Sequence, residues 1–79
     1  MPYIPQEDRD YLAGSGPCKN PGHLNYSITL LIKDYLKEHG LSYQTCNDIM
    51  GALTGAQLEF YRKTVAPYEE EKLKINGDV

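Results

Sequence analysis

The stretch Leu24–Phe60, LNYSITLLIKDYLKEHGLSYQTCNDIMGALTGAQLEF, decides the fold of this chain. Leu24, Ile28, Leu31 and Tyr35 recur at i, i+4, i+7 and i+11. Cys46, Ile49, Leu53, Ala56 and Phe60 recur at i, i+3, i+7, i+10 and i+14. Each pattern lays one apolar stripe along an α-helix. Between them stands His39-Gly40-Leu41-Ser42, a helix stop followed at once by a helix start. The expected fold is therefore all-α: a long antiparallel helical hairpin, preceded by a short N-terminal arm and followed by a kinked C-terminal helix extension. Two helices cannot bury both of their apolar faces on each other alone, so further cover is needed.

Local chemistry sets the expected boundaries. Asn20 is a natural cap with Pro21 at the first helical position. Gly40 suits a backbone with positive φ after the first long helix, which would let Leu41 fold back onto Leu36. Lys37 and His39 complement that helix's C-terminal dipole. Ser42 caps the second helix. Residues 1–12 read as the arm, with Pro5, Glu7 and Asp8 suited to a first turn. Residues 13–22 read as a Gly/Ser/Pro loop, 23–39 and 42–66 as long helices, and 67–76 as a short terminal helix. Pro67 is expected to kink or restart the chain, since it lacks an N–H and clashes with the carbonyl four residues back. All of this is one domain.

The second long helix carries a further line of apolar residues, Leu58, Tyr61, Val65 and Tyr68. It also carries Gly51, Ala52, Gly55 and Ala56, a small-residue track in which each glycine costs about 1 kcal/mol against alanine. Two apolar stripes imply two packing partners. A chain of 79 residues buries only about 60% of its unfolded surface and needs a stabilising aid. Two cysteines are too few for a disulfide scaffold. A homo-oligomer built on the second stripe and the small-residue track is the expected aid.

Composition excludes several classes of function. The net charge of −3 argues against general nucleic-acid binding. Residues 1–12 and 66–79 are each acidic, while 13–65 are close to neutral. No run approaches the roughly 20 apolar residues of a membrane span. The first dozen residues are polar and contain Pro2 and Pro5, so no secretory leader is expected, and the expected setting is the cytoplasm. Cys18, His23, His39 and Cys46 match no standard zinc spacing, so no metal or other cofactor is expected. Cys46 lies on an apolar stripe and is expected to be buried and inert. No phosphate loop, nucleophile elbow or activated dyad is present, and the chain reads as no enzyme.

The residues best suited to hold a ligand are polar groups beside aromatic rings. Tyr26, Thr29 and Lys33 share one helix face, with Asn25 adjacent. Tyr61, Arg62 and Lys63 form the other group, in which Arg62 offers a forked donor set for phosphate or carboxylate. A plain structural reading stands beside this one: Arg62 and Lys63 pair with Glu59 or with the acidic tail. The seven tyrosines suit half-wet packing seams as well as they suit ring stacking.

Several stretches carry a family resemblance. They are Met1-Pro2-Tyr3-Ile4 with Glu7-Asp8-Arg9, Leu24-Asn25-Tyr26-Ser27-Ile28-Thr29, Tyr35-Leu36, Gly40-Leu41-Ser42-Tyr43, Asn47-Asp48 and Gly51-Ala52-Leu53. Leu58-Glu59-Phe60-Tyr61-Arg62, Val65-Ala66-Pro67-Tyr68-Glu69 and Asn76-Gly77-Asp78-Val79 complete them. Together they resemble a family of short bacteriophage and bacterial proteins, a domain of unknown function. Related chains have a longer helical segment where this one has Ala13 to Asn20. The resemblance implies no catalytic residue or cofactor. It implies a phage or prophage accessory protein, a class that often works by binding a host component. One such group, the cyclic-nucleotide sponges, comprises small oligomers with ligand pockets between subunits. The expected function is therefore an oligomer that sequesters a small anionic ligand, such as a nucleotide immune signal, as an anti-defence device. The alternatives are an inhibitor or adaptor that binds a host protein through the acidic termini, and a ligand-free assembly module.

Overall fold

A computed structural model describes residues 4–14 and 16–77. Readings made on residues 1–3, 15 and 78–79, including both ends of the family motifs, lie outside the described residues. The described chain is helical with no strand. It runs as α1 (Gln6–Ala13), α2 (Pro21–His39), α3 (Tyr43–Phe60), a π-helical turn (Tyr61–Val65) and α4 (Ala66–Asn76). It forms two compact units, Met1–Thr45 and Cys46–Val79.

In the first unit the helix ends follow their side chains. The Pro5 carbonyl accepts from the N–H groups of Asp8 and Arg9, at 3.0 and 3.1 Å, and so opens α1. Asn20 stands in extended backbone, and its Oδ1 accepts the His23 N–H at 2.9 Å, with Pro21 at the first helical position. This cap starts α2 at Pro21, two residues earlier than position 23. Ser42 Oγ accepts the Thr45 N–H at 3.1 Å and caps α3. Gly40 has φ +80 and ψ 158, and its N–H bonds Leu36 O at 2.7 Å. That φ favours glycine, but the ψ directs the chain away from a left-handed helical turn. Leu41 does not fold back: it is 81% exposed.

α1 lies against α2 within this unit. The link between them closes over the Tyr11 ring, whose hydroxyl donates to the Pro17 carbonyl at 2.9 Å. A Cβ on Gly16 would stand 2.4 Å from Tyr11 Cζ, so the ring occupies the space a side chain would need.

The second unit resolves the Pro67 problem by changing helix type. The Ala66 N–H bonds the Tyr61 carbonyl, five residues back. A π-turn of this kind takes one extra residue into the helix. Pro67 then falls in the first turn of α4, where no N–H is needed. The break thus falls at 61–65, ahead of the proline. The extra residue rotates everything downstream by about 100°, one residue's share of a 3.6-residue turn. The expected stripe Leu58–Tyr61–Val65–Tyr68 assumed an unbroken α-helix and is not continuous: Leu58 turns away from Val65 and Tyr68, and Tyr61 moves to their edge.

Among the described residues no hydrophobic side chain is buried. Cys46, expected to be buried, is exposed. Leu31 is 70% and Phe60 60% exposed, while Leu58 and Tyr61 are about half exposed. The buried residues are polar, His23 and Thr45, each 4% exposed and each held at a helix N-terminus. No helix among the described residues is long and apolar enough to cross a membrane.

Candidate functional site

In the first unit the side chains that gather are mostly ones the sequence reading did not single out. His23 sits at their centre, fixed by its own backbone N–H to Asn20. Its Nδ1 accepts the Lys19 backbone N–H at 3.2 Å. An accepting Nδ1 carries no proton, so the network assigns the neutral tautomer with hydrogen on Nε2. Asp8 Oδ2 lies 3.1 Å from Nε2, yet Nε2 has no well-aligned hydrogen bond. The contact is a close electrostatic one that misses the N–H direction.

Rings and cations surround this pair. The Arg9 guanidinium lies 5.7 Å from the Tyr26 ring centre. The Lys19 ammonium lies 4.5 Å from the Tyr11 ring, which tilts against His23 at 5.8 Å. Each of the two cations rests over an electron-rich ring face. The Cys18 thiol lies 3.4 Å from the Ser27 hydroxyl. Of the proposed ligand residues on α2, Tyr26 is thus taken up by Arg9. The Thr29 hydroxyl donates to the Asn25 carbonyl at 2.9 Å, a bond inside its own helix. Asn25 and Lys33 are exposed.

Tyr61, Arg62 and Lys63 occupy the π-turn of the second unit. Lys63 Nζ lies 3.4 Å from Glu59 Oε1, with both side chains well exposed; such pairs contribute little. Arg62 has no ion-pair partner among the described residues. A shallow groove of about 350 Å³ runs along the last turns of α4, lined by Glu69, Lys72, Leu73, Asn76 and Gly77. None of the proposed ligand residues lines it. No group of three or more His, Cys, Asp and Glu side chains among the described residues is placed to hold a metal ion.

The signal for the His23 cluster is non-local. Asp8 and His23 are fifteen positions apart and meet because a short Gly/Pro link returns α1 to the start of α2. The arrangement can anchor the arm and shows no nucleophile held beside a base. It defines a class: small all-helical proteins with polar anchoring at helix ends and apolar faces left open. The chain belongs to the family described as Domain of unknown function (DUF6899), whose model matches residues 1–79. No curated protein and no solved structure matches it.

Proposed function

We propose that this chain is a non-enzymatic phage or prophage accessory protein that acts in the host cytoplasm as a homo-oligomer and sequesters a small anionic ligand, such as a nucleotide immune signal. The observation that carries it is the open apolar surface: among the described residues no hydrophobic side chain is buried. A chain with that much exposed apolar helix gains most by covering it with copies of itself. Arg62, exposed beside Tyr61 and without an ion-pair partner among the described residues, supplies the forked cation for an anion and a ring to stack on. Lys63 adds charge at the cost of its weak pair with Glu59.

Size-exclusion chromatography with light scattering tests assembly, and a thermal-shift screen against cyclic nucleotides tests the ligand. Assembly at micromolar concentration and a melting shift that Arg62→Ala abolishes are expected. A folded monomer refutes the assembly, and the absence of a shift with every nucleotide refutes the ligand.

A further inference from the structure

The π-turn does more than accommodate Pro67. On an unbroken α-helix, the line Cys46–Ile49–Leu53–Ala56–Phe60 would lie about 90° away from Val65–Tyr68–Ile75. The residue taken in at Tyr61–Val65 returns about 100°, which closes that difference. The two lines become one apolar face that runs the length of the second unit. Phe60 and Tyr68 are each 60% exposed on it, Ile75 is 72% exposed, and Ile49 and Val65 are half-buried. The same geometry turns Arg62, Glu70 and Leu58 to the far side and Asp48, Glu59, Lys63 and Lys74 well off the face. Lys72 alone among the cations falls within it, and its ammonium lies 5.6 Å from the Tyr68 ring, folded along the surface.

We infer that this re-phased face is the self-association surface and that its occupant is the same face of a second copy, antiparallel, about a two-fold axis near the π-turn. The inference rests on the homo-oligomer reading above and names the surface for it. Area supports it. At the usual size of such side chains, the exposed part of this line offers on the order of 600 Å². Its flanks, Met50, Gln57 and Asn76, bring that toward the roughly 800 Å² per partner of a stable interface. Charge supports it as well. A chain of net charge −3 repels its copies, and this face limits that repulsion: it holds one charge, the Lys72 ammonium folded onto Tyr68, and no carboxylate, with Glu69 and Glu71 at its edges. Direction follows from the acidic run Glu69–Glu71. Parallel copies set that run against itself. Antiparallel copies centred near residues 62–63 set it against neutral Thr54–Ala56, and they place small Ala56 opposite large Tyr68, and Phe60 opposite Val65.

The test uses the full chain in light scattering and sedimentation. Phe60→Glu and Tyr68→Glu are expected to raise the dimer dissociation constant by at least about 100-fold, the effect of burying an unpaired charge, while Leu58→Glu stays within about threefold of the unsubstituted protein. Circular dichroism follows helix content in each. In a Cys18→Ser/Cys46→Ser background, oxidation is expected to cross-link Thr64→Cys, beside the axis, and not Leu53→Cys, far from it. An unsubstituted protein that is monomeric overturns the oligomer reading itself. Assembly that Leu58→Glu breaks and Tyr68→Glu spares overturns the surface alone. Cross-linking through Leu53→Cys overturns the antiparallel arrangement, and it does so even where a glutamate variant has lost helix.

Discussion

Replacing both Gly51 and Gly55 by alanine is expected to stabilise the protein and leave its assembly unchanged. Both glycines lie inside α3, and neither has the positive φ seen at Gly40 and Gly77. A Cβ built on either one meets nothing within 4 Å, so alanine has no clash to relieve. What remains is the intrinsic preference of a helix interior, about 1 kcal/mol per site, part of it from restricting the unfolded chain. The pair therefore gains about 2 kcal/mol, with a coupling of a few tenths because the sites are one turn apart. In a chain of this size each kcal/mol moves the midpoint by about 4–8 °C, so the double variant melts about 8–16 °C higher. The assay is a circular-dichroism melt at fixed chain concentration, since assembly makes the midpoint concentration-dependent, with light scattering run alongside. Gly51 and Gly55 project to the side of the helix opposite the proposed contact face, which is why assembly is unaffected. A lower midpoint, or dissociation of the double variant, refutes the reasoning: some backbone or ligand then rests on that glycine track.

Two further outcomes follow. His23→Ala strands the Lys19 N–H and removes the contact with Asp8, a loss of about 1–3 kcal/mol for a buried polar group without its partner; hydrogen exchange is expected to speed up across α1 and to stay unchanged across α4, and equal protection of α1 in both proteins refutes the anchoring role. Pro67→Ala restores an N–H and removes the reason for the π-turn, so α3 and α4 anneal into one α-helix, with backbone chemical shifts of 61–65 turning α-helical and self-association weakening by about tenfold or more, equivalent to about 1.4 kcal/mol; a retained π-turn refutes the link to the proline.

The parts of the fold that were legible in the sequence are the ones decided within four residues. Asn20, Pro21 and Ser42 act on backbone groups two or three positions away, and the structure places each where its chemistry requires. Gly40 was legible in its φ and not in its ψ. The positive φ needs only the missing Cβ, whereas ψ decides where Leu41 goes, and Leu41 ends in solvent. The candidate site divides in the same way. The Lys63–Glu59 pair is an i,i+4 contact and was foreseen as the structural alternative. The seat of Arg9 on Tyr26 and the meeting of Asp8 with His23 depend on the return of α1 across a loop, and no periodicity within a helix reports that.

The apolar stripes show why a correct local reading can still misplace the phase of a stripe. Pro67 signals that an unbroken α-helix fails near residue 66, and that signal is plain. It does not say how the failure is absorbed, because a kink, a restart and a one-residue insertion all free the proline from the carbonyl it would strike. These solutions differ in phase. A kink keeps the 3.6-residue count and leaves two diverging stripes that call for two partners. An insertion rotates the downstream half by one residue and leaves a single stripe that one partner can cover. The Ala66 N–H to Tyr61 bond selects the insertion. From that choice it follows that Phe60 and Tyr68, about 80° apart on a regular α-helix, come within about 20° of each other, while Leu58 turns to the far side and Tyr61 stands at the edge.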